Sequence, residues 1–205
     1  MTLKIGLISD VHATPEPLQE AMDIFSRENV ASILCAGDIA GYGTELEQTV
    51  GLLIRNRCRS IVGNHDQWWL EGEGEWPSGP LAHYMRNLPI SIDMSVAGRR
   101  LHMVHASPPG SLMEGIRLLD EHAVLSLEQV DYWSRYLRDF DTDVLVVGHT
   151  HQVFAERLGQ ILVINPGSTL FNHTCAILTL PDMEVQILPL GENLPVLSWN
   201  WGTDR

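Results

Sequence analysis

Five short polar clusters each follow an apolar run: "SDVH" at 9–12, "GDIAGYG" at 37–43, "GNHD" at 63–66, "HASP" at 105–108 and "GHTH" at 148–151. From them come Asp10, His12, Asp38, Asn64, His105, His149 and His151. Carboxylate, amide and imidazole donors in this mix suit divalent ions of the manganese, iron or zinc type. The set suits two such ions. One shared carboxylate would hold them ~3.5–4 Å apart, the spacing of two-metal hydrolysis. Asp10 and His12 are two residues apart, so on a strand they would point to the same side. Taken singly, each cluster also reads as a polar turn. Five of them, each at the end of an expected strand, favour a metal site.

The elements around the clusters explain how they could meet. Residues 3–9, 31–36 and 59–63 read as buried strands. Residues 15–28 and 44–57 between them read as helices. The first is opened by Thr14 and Pro15, the second by Thr44 and Glu47 at capping-box spacing. Strands alternating with helices predict an α/β fold with a largely parallel sheet, whose ligands bind at the carboxyl ends of the strands. Residues 67–88, with glycines, prolines and Trp68, Trp69 and Trp76, read as an inserted loop or cap. Short strands follow at 90–97 and 100–105, then a helix at 126–139 opened by "SLEQ", a further buried strand before His149, and more strands to about 188. Residues 189–205 read as an irregular tail, and the whole chain as one domain.

Composition sets limits. A net charge of −13 with a single lysine, Lys4, disfavours long nucleic acids, which need cations against phosphate. Arg55, Arg57 and Arg59 read as a solvated helix end. Cys35, Cys58 and Cys175 form neither a zinc-type pair nor a disulfide framework, which fits a reducing cytoplasm. No apolar run approaches a membrane span, and the start shows no signal peptide.

The five clusters, in this order, resemble the signatures of the calcineurin-like metallophosphoesterases. "GDIAGYG" and "NPGS" (165–168) are similar to elements of the small bacterial and archaeal phosphodiesterases. The resemblance covers about residues 3–188. It implies two mixed β-sheets packed as a sandwich and flanked by helices, in four layers. It also implies two divalent ions (Mn, Fe, Ni or Zn, with Mn favoured). One would be held by Asp10, His12, Asp38 and His151, the other by Asp38, Asn64, His105 and His149. His65 would assist the leaving group without binding metal, and Asp66 would orient the His65 ring. The implied reaction is in-line attack of a metal-bridging hydroxide on a small-molecule phosphoester, a diester before a monoester. The sequence departs from the family in "HATP" (12–15), where His-Gly-Asn is common, and in Ala106, where Gly is common. Neither change touches an expected ligand.

Other readings stay in view. A phosphomonoesterase or protein phosphatase would share the metal chemistry, and a scaffold of the same fold would bind without catalysis. His83, His102, His122 and His173 match no signature and read as structural or surface residues. The tryptophans of 67–88 either stack on a nucleobase or aryl leaving group or pack the insertion onto the body, with packing expected. Trp199 and Trp201 suit an apolar cover or a contact between copies of the chain.

Overall fold

Strand β1 (Leu3–Ile8) is covered on both faces in the computed structural model, which describes residues 2–72 and 77–199. Ile5 and Leu7 point into one apolar cluster and Ile8 into another. Gly6 lies under Phe25 so closely that an added Cβ would come within 2.8 Å of the ring. Such a strand reads as a continuous apolar run because neither face meets water.

Two five-stranded mixed sheets form the centre. The first has β1 parallel to β2 (Ser32–Cys35), which is parallel to β3 (Arg59–Ser60). On its other side β1 runs antiparallel to β9 (Thr174–Leu180), followed by β10 (Glu184–Pro189). The second sheet orders β4 (Ser91–Val96), β5 (Arg99–Val104), β6 (Val144–Val146), β8 (Ile161–Pro166) and β7 (Val153–Leu158). Leu34, Met103, Val146, Ile164 and Leu178 fill the space between the sheets. Helices α1 (Pro15–Arg27) and α2 (Leu46–Arg55) cover the outer face of the first sheet, and α5 (Leu127–Tyr136) that of the second. The sandwich and its flanking helices are those that the family resemblance implied. No helix among the described residues is long and apolar enough to cross a membrane.

Several local expectations are corrected. The second helix begins at Leu46 with Glu45 at its N-cap, so Thr44 and Glu47 form no capping box. The preceding turn is tied down instead, by Gly43 N–H to His12 O and Glu45 N–H to Ala13 O. Thr14 sits at the N-cap of α1, but its hydroxyl donates to the His12 carbonyl. β3 stops at Ser60 because Val62 N–H turns away to Pro89 O. The segment 67–88 is more ordered than a loop. Residues from Asn64 to Glu71 form α3, and Gly79–Arg86 form α4. Asp66 in the first turn of α3 accepts the Gly63 N–H at 2.8 Å, which closes the helix start. Trp76, Trp201 and residues 200–205 of the tail lie outside the described residues.

Candidate metal centre

The strand ends bend sharply where the donors begin. Asp10, His12, Asp38, His149 and His151 all have positive φ, between 48° and 66°. Asp and His are among the few types other than Gly that visit this region, at a cost of ~1–3 kcal/mol each when the surroundings impose it. Strand β1 ends at Ile8, so this backbone turn sets the directions of Asp10 and His12, not strand alternation. Neighbouring loops hold the bends. Asp10 N–H donates to Gly37 O and His12 N–H to Asp38 O, both at 3.0 Å; Gly148 N–H donates to His105 O at 2.8 Å. Ser168 Oγ donates to Asp10 O at 2.6 Å, and Asn165 Nδ2 to Gly148 O at 3.0 Å. The "NPGS" turn thus clamps two of the ligand loops.

Seven side chains meet in two adjoining groups. In one, His151 Nε2 lies 3.2 Å from His12 Nε2 and 3.3 Å from Asp10 Oδ1. In the other, Asn64 Oδ1 lies 3.0 Å from His105 Nε2 and 2.9 Å from His149 Nδ1, with Asp38 Oδ2 at 3.4 Å from His105 Nε2. Asp38 has ligand atoms within reach of both His12 and the His105–His149 pair. These separations match the edges of a coordination shell with bonds of ~2.1 Å.

The ring orientations fit a cation. His12 Nδ1 faces the Ala40 carbonyl at 3.1 Å, and His105 Nδ1 faces the Ala36 carbonyl at 2.7 Å. A carbonyl only accepts, so both Nδ1 atoms carry the proton and both Nε2 atoms are directed into the cluster. This is how metal-binding histidines are held.

The electrostatics agree. Burial opposes ionisation of Asp10, but His151 beside it wins and holds the carboxyl well below the usual range. Asp38 is lowered too, with burial opposing and His105 prevailing. Burial brings His12 down to about 4. His105 goes the other way: burial opposes its charge, yet Asp38 pushes it up to about 9. Two buried carboxylates therefore demand positive charge, and a second proton on His105 supplies part of it. A divalent ion would take over that charge, and its binding would release protons.

His65 is half-buried on the rim. Its N–H donates to Asp38 Oδ1 at 2.8 Å, and burial lowers the ring pKa. The ring is also within ligand reach of His12 and Asp38, a proximity the sequence did not indicate. Asp66 departs from its expected role. Its oxygens accept the N–H groups of Ala40, at 2.7 Å, and Gly63, at 2.8 Å. Both oxygens are thus engaged by backbone of the ligand loops, and Asp66 braces those loops in place of the His65 ring. Burial, then Asp38 nearby, push its pKa up to about 7. His83 and His122 are exposed, while His102 is buried and bonds Asp93 at 2.8 Å.

Sequence reasoning missed a brace behind His151. Phe171 stacks on its ring with centroids 5.1 Å apart. Buried Asn172 donates to the His151 carbonyl at 2.9 Å and accepts from Ser168 N–H at 2.7 Å. The tail, expected to be irregular, is pinned there too: Trp199 N–H donates to His151 O and Val196 N–H to Asn172 O, both at 3.1 Å. No spacing in "LFNHT" (170–174) marks these residues, because their partners are distant in sequence.

Comparison with known proteins agrees with this geometry. Residues 3–182 match the calcineurin-like phosphoesterase superfamily domain. The chain belongs to that family, whose class is the phosphoester hydrolases. It is 23% identical over 171 residues to a protein of Methanocaldococcus jannaschii named as a phosphodiesterase, a match covering 80% of this chain and 83% of the relative. It is 27% identical over 197 residues to a protein of Methanothermobacter thermautotrophicus named as a probable metallophosphoesterase, covering 93% and 88%. The solved metallophosphoesterase of Sphaerobacter thermophilus shares the fold, with a TM-score of 0.70, 22% identity, and coverage of 93% and 89%.

Proposed function

We propose that this protein is a phosphodiesterase that works with two divalent metal ions, manganese foremost. The observation that carries the reading is the pair of adjoining donor groups joined by Asp38 at the strand ends. Asp10, His12, Asp38 and His151 would hold one ion, and Asp38, Asn64, His105 and His149 the other. When bound, the ions would supply charge neutralisation at the phosphoryl oxygens and a water nucleophile of lowered pKa.

The chain's own part follows from its geometry. Asp38 spans the two groups and stays ionised. Its bond from the His65 backbone ties the catalytic histidine to the shared carboxylate. The His65 ring, neutral near pH 7 because burial lowers its pKa, donates an N–H to the leaving oxygen. Negative charge of a bound phosphoester would raise the proton affinity of the ring, so that it takes up a proton from solvent and, as the imidazolium, passes that proton to the leaving oxygen. Preference for a diester is supported by the name of one relative. Three free cysteines suit a reducing compartment such as the cytoplasm.

The test is chelation followed by reconstitution with Mn²⁺, with bound metal counted. Hydrolysis of bis(4-nitrophenyl) phosphate is then compared with that of 4-nitrophenyl phosphate. Two ions per chain and faster turnover of the diester support the proposal. A faster monoester makes the protein a phosphatase. Metal bound with neither ester cleaved makes it a binding scaffold.

A further inference from the structure

Beside the donor groups lies an open cavity of about 760 Å³, walled by Gly41, Tyr42, His65, Trp68, Trp69 and Pro77. Its walls come from two places with separate reasons to be there. Tyr42 belongs to the loop after β2 that carries Asp38. Trp68 lies on α3, three residues after His65 and four after Asn64, so the helix presents all three along one side. The His65 and Trp68 ring centroids are 4.8 Å apart, and those of His65 and Tyr42 are 4.9 Å apart.

The two neighbouring tryptophans are used differently. Trp69 packs on the core cluster under α1 and α2, as the sequence suggested. Trp68 does not join that core; it is 49% exposed, and Tyr42 is 55% exposed. The indole of Trp68 thus offers an exposed ring face beside His65, and such a face can stack on a flat ligand. Among the described residues the cavity wall includes no lysine or arginine. Arg86 turns to the Pro77 carbonyl instead of lining the wall. Among the described wall residues a second phosphate would find no lysine or arginine side chain, whereas a flat neutral ring would find the π-face of Trp68.

We infer that this cavity receives a flat aromatic ring, a nucleobase or an aryl group, attached to the phosphoester, with Trp68 and Tyr42 as its stacking walls. The inference rests on the phosphodiesterase reading for the position of the phosphate. It makes Trp68 a specificity residue and disfavours polyphosphate extensions on that side.

Calorimetry on the Mn²⁺-loaded protein would compare adenosine 5′-monophosphate, phenyl phosphate and ribose 5-phosphate, which carry the same phosphate with different attachments. The inference expects at least one aromatic ligand to bind about 5- to 100-fold tighter than ribose 5-phosphate, the range for one stacked base. Trp68→Ala should erase that advantage and Trp68→Phe keep most of it. If only adenosine monophosphate gains, the ring is a nucleobase; if only phenyl phosphate gains, it is a simple aryl group. Equal affinity for all three ligands overturns the inference. So does a Trp68→Ala variant that weakens all three alike, since Trp68 would then only position His65. Saturation-transfer NMR of adenosine against ribose on metal-free protein keeps the two readings apart. Failure to bind Mn²⁺ sinks the metal mechanism, while the adenosine contact can still be read.

Discussion

The ligand rim and the two helices that follow β3 are built on opposite terms. In the rim, Asp10, His12, Asp38, Asn64, His105 and His151 are buried, and most of them are held in left-handed backbone by bonds from several loops. In α3 and α4 beside it, beyond Asn64 at the helix start, His65 is half-buried and Trp68 exposed. Buried, cross-tied groups keep a fixed geometry for charge. Exposed ring faces can be exchanged without disturbing that geometry. Asn64 and His65 lie at the seam, in the first turn of α3, so the rim and the wall share one helix start.

Substitutions can break or sharpen this contrast. The largest effect is expected for Asp38→Asn, which removes the carboxylate shared by both groups. Activity should fall roughly 10³-fold or more, with metal content reduced on direct analysis. His65→Ala should slow turnover by about 10²–10⁴-fold while leaving two metals bound. Equal metal loss in that variant would make His65 a ligand and move the seam into the rim. Gly63→Ala would place a Cβ 2.1 Å from Asp38 Oδ1 and 2.3 Å from its backbone N. The loop must shift, at ~1–3 kcal/mol of stability by denaturant titration, with weaker metal binding.

Asn172→Ala removes support from the His151 carbonyl and leaves the buried Ser168 N–H without its acceptor. Metal affinity should drop about 10- to 100-fold. An unchanged affinity would show that the rim does not need its brace. The smallest effect is expected for Asp66→Asn. An amide can accept at only one of the two positions that now receive Ala40 and Gly63 N–H groups. The cost should be ~1–3 kcal/mol, read as a lowered Tm with metal binding retained.

Much of this was legible in the chain. Buried strands announce themselves as apolar runs, and donors placed directly after such runs are collected on one rim by parallel strands. That is why Asp10, Asp38 and Asn64 could be grouped from their places at the ends of three expected strands. The capping of α2 was misread because the His12 and Ala13 carbonyls hold the turn before it, and they lie more than 25 residues away. Asp66 was misread for a related reason. A carboxylate beside His65 in sequence suggests a partner for that ring, but the helix turn carries it to the Ala40 and Gly63 amides. The chemistry was thus set by residue type and order, which are local properties of the sequence. Only the tertiary structure decided which carbonyls fix the His12 and His105 rings, that Asn172 and the tail brace His151, and that Trp68 faces water while Trp69 faces the core. Each of these depends on where distant backbone arrives, and no short stretch of sequence encodes that.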